Sequence, residues 1–394
     1  MMPELHFLKA LSRHSPAHAR RGFGNSFSNL LMSSLLCAAL AGSACARSDH
    51  PPAIAYSDPS VGPGPARVAQ AAIDDWGRPR TVEIRLQWIE SARVRPGIAG
   101  EIDFAEGMVA LPGLVAAVGP LNSRATLLVA PIYAERGIPL ISATATTRKL
   151  RSVSPWVFPL APDDEAEGAF IAAFLLNGLR ARHVTIFYLV ADEYGLGLRD
   201  GVVRALRRGG VEPLDEVAIS PQSDFPRLVA ASLRRGTPQA IVVAARTAEA
   251  TAILRAVQAA RLRVPLVLGD GASLDSAFRS AWRAEEQPVY AVTWWQADEA
   301  DSSSRAFVAR YLQLTGIRPS AFNAMQYDAL MVAAQAVREV GPHPPAIRRY
   351  LSELGTTRPP YRGVTGPIAF NAGRRTNLVM TRVADGVSVP VDRP

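Results

Sequence analysis

The stretch Leu114 to Leu150, LVAAVGPLNSRATLLVAPIYAERGIPLISATATTRKL, decides how the rest of the chain reads. An apolar strand runs into a Gly-Pro-Leu-Asn-Ser turn, a helix follows, and a second short strand ends in a Ser/Thr run. Ser123 stands where turn becomes helix, so its hydroxyl and the first free helical N–H groups share a direction. Helix N-termini leave donors unpaired and carry partial positive charge, which makes this turn a candidate anion site. The plainer reading is that Ser123 only caps the helix. Thr144, Thr146 and Thr147 cluster at the end of the next strand, where open α/β sheets place ligands.

Outward from this unit the same alternation continues. Leu114–Val118, Val184–Val190, Ala240–Ala245 and Pro265–Leu268 are nearly continuous apolar runs, as expected of parallel strands covered on both faces. Thr81 to Ile89 instead alternates, as a partly exposed edge strand does, and Ala53 to Tyr56 is a short candidate first strand. Helical spacing appears at Pro65–Trp76, at Ile171, Phe174, Leu175, Gly178 and Leu179, at Ala250, Ile253, Leu254 and Val257, and across Ala321–Val340. Strand and helix in turn predict an α/β protein of doubly wound parallel sheets. A fresh series opens at Val184, and at 394 residues two lobes are expected.

Composition narrows the class. A hydrophobic fraction of 48% with 20% charged residues is that of a soluble globular chain. The formal charge of +8 is spread over many helices without a basic run, and Lys9 and Lys149 are the only lysines among 43 basic residues. This is an arginine bias rather than a nucleic-acid footprint, so no nucleic-acid partner is expected. Residues 1–46 read as an export leader: basic Lys9, Arg13, Arg20 and Arg21, then the apolar run Leu30–Ala41, then small residues. The run is too short to span a bilayer. Ser43-Ala44-Cys45 fits lipidation at Cys45, and Ala44-Cys45-Ala46 fits ordinary signal cleavage. Both cysteines, Cys37 and Cys45, lie in this leader, so the body holds no disulfide and no thiol catalyst.

The order strand, Gly-Pro-x-x-Ser turn, helix, Gly-Ile-Pro strand and Ser/Thr run resembles the type I periplasmic substrate-binding proteins of the branched-chain amino-acid (Leu/Ile/Val) class. Phe158-Pro159-Leu160-Ala161-Pro162-Asp163, Tyr194-Gly195-Leu196-Gly197, Ser223-Asp224-Phe225, Gly269-Asp270-Gly271 and Gly363-Val364-Thr365-Gly366-Pro367 extend the resemblance from Pro52 to the C-terminus. It implies two lobes, 52–160 with 291–343 and 161–290 with 344–394. They would be joined by three crossovers near Leu160, Tyr290 and Pro344, a hinge suited to closing on a ligand. It also implies a periplasmic, monomeric receptor that hands a small ligand to an ABC permease and performs no chemistry. A sensory or scaffolding lobe that signals to a partner protein is the alternative.

The resemblance assigns residues too. Ser123 and Thr146 match positions that hold an amino acid's carboxylate and ammonium, with the Thr144 carbonyl also receiving the ammonium. Asp270 matches an acidic partner for that ammonium, by a charge-assisted bond; an Asp-Gly turn is the simpler reading. Tyr194 either walls the pocket or packs in the hinge. Two features depart from the pattern. The opening strand and its Gly-rich loop are abbreviated, and Arg246 stands where an aromatic is usual, there to clamp an acidic group or to point to solvent. The acidic run Asp163, Asp164, Glu165 and Glu167 reads as helix capping. No cofactor or metal is expected, since His50, His183 and His343 lack ligand spacing.

Overall fold

The structure is a computed structural model that describes residues 51–58, 62–75, 85–88, 97–272, 276–282, 287–297, 301–371, 377–384 and 387–391. The leader expectations, Cys45 included, lie outside these residues. Two sheets organise the fold. The first holds β1 (Ala53–Tyr56), β2 (Arg85–Trp88), β3 (Leu114–Val118), β4 (Leu140–Ser142) and β5 (Val157–Pro159) in the order β2-β1-β3-β4-β5, all parallel. β2 is indeed an edge strand. β1, β3 and β4 are buried along their whole length, which is why they read as unbroken apolar runs.

The second sheet is mixed. Its strands are β6 (Val184–Leu189), β7 (Asp215–Ile219), β8 (Ala240–Ala244), β9 (Leu266–Leu268) and β10 (Val289–Thr293), then β13 (Val379–Ala384) and β14 (Val387–Pro390), ordered β14-β13-β10-β9-β8-β6-β7. β6 to β10 run parallel, whereas β13 pairs antiparallel with β10 and with β14. A hairpin of β11 (Tyr361–Gly363) and β12 (Gly366–Ile368) stands apart.

Helices α1 (Gly64–Asp74), α2 (Ile98–Val109), α3 (Ser123–Glu135) and α4 (Leu150–Val153) follow the first four strands in turn. α5 (Asp164–Ala173) and α6 (Glu193–Arg208) pack face to face in the second lobe, with α7 (Phe225–Leu233), α8 (Thr247–Ala259) and α9 (Ser276–Ala281) beyond them. The α5–α6 crossing is close because glycines meet there. A Cβ on Gly168 would lie 2.7 Å from the Gly201 Cα, closer than real Cβ atoms approach.

α10 (Ser302–Thr315), α11 (Ala321–Val340) and α12 (Pro344–Glu353) return to the first sheet, α10 and α11 against α1 and α12 against β3. The chain therefore crosses first between β5 and α5. The second crossing comes after Thr293 rather than near Tyr290, because β10 still belongs to the second sheet. The third comes beyond Glu353 rather than near Pro344, because α12 stays with the first. Phe158 and Phe370 meet edge-on at 5.3 Å and tie the first and third crossings, while Trp294 packs on Phe322 of α11 at 5.0 Å. Among the described residues no helix is long and apolar enough to cross a membrane.

Candidate functional site

Ser123 opens α3 but does not cap it. Asn122 is the cap, its Oδ1 accepting from the Ala125 N–H at 2.8 Å. That leaves the Ser123 hydroxyl free to look across the turn, where it accepts from the backbone N–H groups of Thr146 at 3.3 Å and Thr147 at 3.2 Å. The Thr144 hydroxyl donates to the Leu121 carbonyl at 2.8 Å, stitching the same two loops a second time. Ser123, Thr144, Thr146 and Thr147 are all buried. The two strand ends of the first lobe thus form one rigid polar corner.

This corner touches the second lobe. The Thr146 carbonyl accepts from the Asp164 N–H at 2.9 Å at the start of α5, and the Lys149 ammonium meets Glu193 at 2.6 Å at the start of α6. The Lys149 and Glu193 side chains are 64% and 31% exposed, so their pair contributes about 1 kcal/mol at most to holding the lobes together.

On the second lobe, Asp270 lies in the turn just after β9, between two glycines. A Cβ on Gly269 or Gly271 would run into the Tyr194 ring or hydroxyl, so more than turn chemistry places glycines there. Tyr194 is buried, and its hydroxyl accepts from the Gly271 N–H at 2.9 Å. It therefore supports the Asp270 turn rather than packing in the hinge. Arg246 lies over the Tyr194 ring at 4.7 Å, and its Nε donates to Asp192 Oδ2 at 2.8 Å. Burial alone would lower the guanidinium pKa, but Asp192 holds it above its ordinary value. Arg246 is thus tethered through its Nε to Asp192 of its own lobe, with its side chain 34% exposed.

The acidic run at α5 splits three ways. Asp163 is a true cap, accepting from the Ala166 N–H at 2.9 Å, and it pairs with Arg151. Glu165 faces Arg148 at 2.6 Å and Arg208 at 3.6 Å. Asp164 and Glu167 turn inward instead and join Asp270, which corrects their reading as helix caps. Their position was visible in the spacing: 164, 167, 168 and 171 form an i, i+3, i+4, i+7 stripe that ends on the core residue Ile171. Burial pushes Asp164 well above the usual carboxylate range, the Thr146 hydroxyl opposes this, and the Asp270 and Asp163 charges add to it. Asp270 is also raised by burial, with Glu167, Arg246 and Tyr194 pulling the other way.

The six residues picked from the sequence therefore fall into one linked set: Ser123, Thr144 and Thr146 from the first lobe, Tyr194, Arg246 and Asp270 from the second. Sequence reasoning missed Asp164, Glu167 and Asp192. Among the described residues no group of three or more His, Cys, Asp or Glu side chains is arranged to hold a metal ion.

The sequence pattern of the periplasmic binding protein family matches residues 56–384. A Leu/Ile/Val-binding protein homolog of Brucella suis biovar 1 (strain 1330) is 23% identical over 265 residues, 66% of this chain and 69% of that one. A leucine binding protein from Thermotoga maritima superimposes with a TM-score of 0.76 at 21% identity, covering 86% of this chain and 97% of its own. A solute binding protein of an ABC transporter from R. palustris, in complex with benzoate, superimposes at 0.71 with 16% identity, covering 87% and 96%. Matched over most of its length and built on two strand–helix lobes, this chain belongs to the periplasmic binding protein family, with the type I fold.

Proposed function

We propose that this protein is an extracytoplasmic receptor that binds an amino acid, or a small ligand like one, between its lobes and delivers it to an ABC permease. Residues 1–46 would be its export leader, with Cys45 the candidate lipid anchor. One observation supports the reading: the Ser123–Thr146 corner, whose hydroxyls can donate, is joined through Asp164 to the acidic turn at Asp270. Donors on one lobe suit a carboxylate, and a buried acid on the other suits an ammonium. A ligand with both charges bridges the lobes and stabilises their closed arrangement, because only that arrangement offers both contacts. No bond is made or broken.

The R. palustris protein holds benzoate, an acid without an amine. The buried Asp270 favours the amine-bearing class here, because an added anion beside it would gain nothing and be repelled. A thermal-shift series separates the two. L-leucine at a hundredfold excess over its dissociation constant adds about 2.7 kcal/mol of stability. It and related amino acids should raise the melting temperature by several degrees while benzoate does not. Stabilisation by benzoate alone would overturn the amine reading, and no response to any amino acid or carboxylate would favour a sensory or scaffolding lobe.

A further inference from the structure

Glu167 is fully buried, and no ligand contact accounts for it. Its Oε1 accepts the Asp270 N–H at 2.8 Å, near enough for the two carboxyl groups to act on each other, yet Glu167 Oε2 and Asp270 Oδ1 have no hydrogen-bond partner. Among the described residues, three further titratable or charged groups act on this contact. Asp164 comes from the same helix, the Tyr194 hydroxyl from α6 and Arg246 from the start of α8; Arg246 is the cation of the set, and its Nε is committed to Asp192. Two neighbouring carboxylates in so dry a place repel strongly, whereas one shared proton turns the contact into a charge-assisted hydrogen bond.

We propose that Glu167 is a positioning residue that keeps its proton at neutral pH and donates it to the Asp270 carboxylate, so that the turn presents a single, oriented negative charge. Burial, followed by the Asp270 charge, pushes the Glu167 carboxyl well above the ordinary carboxylate range, in agreement with the geometry. The consequence for ligand class rests on Asp270 meeting an amine: one negative charge fits one ammonium. The proton itself does not rest on that reading, and it is tested without ligand.

The sign of its pH effect is fixed. The unfolded chain loses this proton near pH 4.3, while the folded chain keeps it to higher pH. Folding stability therefore falls as pH rises above about 4.3, until the folded group also ionises. In Glu167→Gln there is no proton to lose, and the amide N–H takes over the donation to Asp270. Melting of the ligand-free protein across pH 5 to 9 should fall less steeply in Glu167→Gln than in wild type, with Asp164 and Asp270 supplying the slope that remains. At pH 7 Gln should preserve the melting temperature and Ala should lower it. Infrared spectra of ligand-free wild type at pH 7 should show a carbonyl band of a protonated carboxylic acid that Glu167→Gln loses, over and above any band from Asp164, which both proteins share. Absence of that band from wild type, or parallel pH profiles with Gln as damaging as Ala, would overturn the assignment. Either result leaves the question of an amine ligand to binding measurements.

Discussion

Asp270→Ala is expected to weaken L-leucine, or whichever amino acid binds, by roughly 30-fold to a few thousand-fold. The basis is the cost of removing one partner of a buried charge pair, about 2–5 kcal/mol, at about 1.4 kcal/mol per decade of affinity. The structure explains why the loss should be this large. Asp270 is 8% exposed, its Oδ1 has no protein partner, and its turn is fixed by Tyr194 and Glu167, so neither water nor a neighbouring side chain replaces it cheaply. The same change should not lower the melting temperature of the ligand-free protein. Burial raises the Asp270 pKa, which means that holding it ionised at neutral pH opposes folding, and alanine removes that penalty. Calorimetric titration of both proteins decides the matter, and equal affinities would remove Asp270 from the site.

Asp328→Ala should cost stability rather than affinity. Asp328 is fully buried in α11, and its carboxylate accepts from the Val364 N–H at 2.9 Å, the Thr365 N–H at 2.8 Å and the Thr365 hydroxyl at 2.5 Å. These bonds pin the β11–β12 turn to the first lobe, and Gly363 is required beside them because a Cβ there would lie 2.8 Å from Asp328 Oδ1. Asn377 extends the network by donating to the Trp294 and Thr365 carbonyls at 2.9 and 2.8 Å, which ties the second and third crossings together. Alanine leaves buried N–H groups without an acceptor. A loss of about 3–5 kcal/mol is expected, by analogy with breaking a buried ionic contact from one side. At roughly 2–4 °C per kcal/mol that lowers the melting temperature on the order of 10 °C. A shift of under about 2 °C in a thermal melt would show that the turn is held by other contacts.

The apolar runs that mark β3, β6, β8 and β9 and the helical spacing of α11 were legible because burial on both faces, or along one stripe, writes directly into residue type. What stayed hidden depends on partners far along the chain. β10 belongs to the second sheet because it pairs with β9 on one side, and it carries β13, about ninety residues later, on the other; nothing within Val289–Thr293 shows either pairing. Arg246 could be read as a ligand clamp or a solvent-facing arginine, since its partner Asp192 sits 54 residues away. The acidic run at α5 was misjudged for a different reason. The helix dipole accounts for any acid in a first turn, but only the periodicity distinguishes Asp163, which caps, from Asp164 and Glu167, which face inward. Ser123 shows the converse: its place in the site was readable, while the cap one residue earlier, Asn122, was not picked out.

A bound ligand is expected to draw the two lobes together between Ser123 and Asp270. Two ion pairs between the lobes, Lys149–Glu193 and Arg148–Glu165, each rest on a cation that is nearly two-thirds exposed and contribute little, so closure should depend on what binds. Small-angle scattering of the protein with and without saturating L-leucine tests this most directly. The radius of gyration should be smaller in the saturated sample; an unchanged radius at demonstrated saturation would contradict ligand-driven closure.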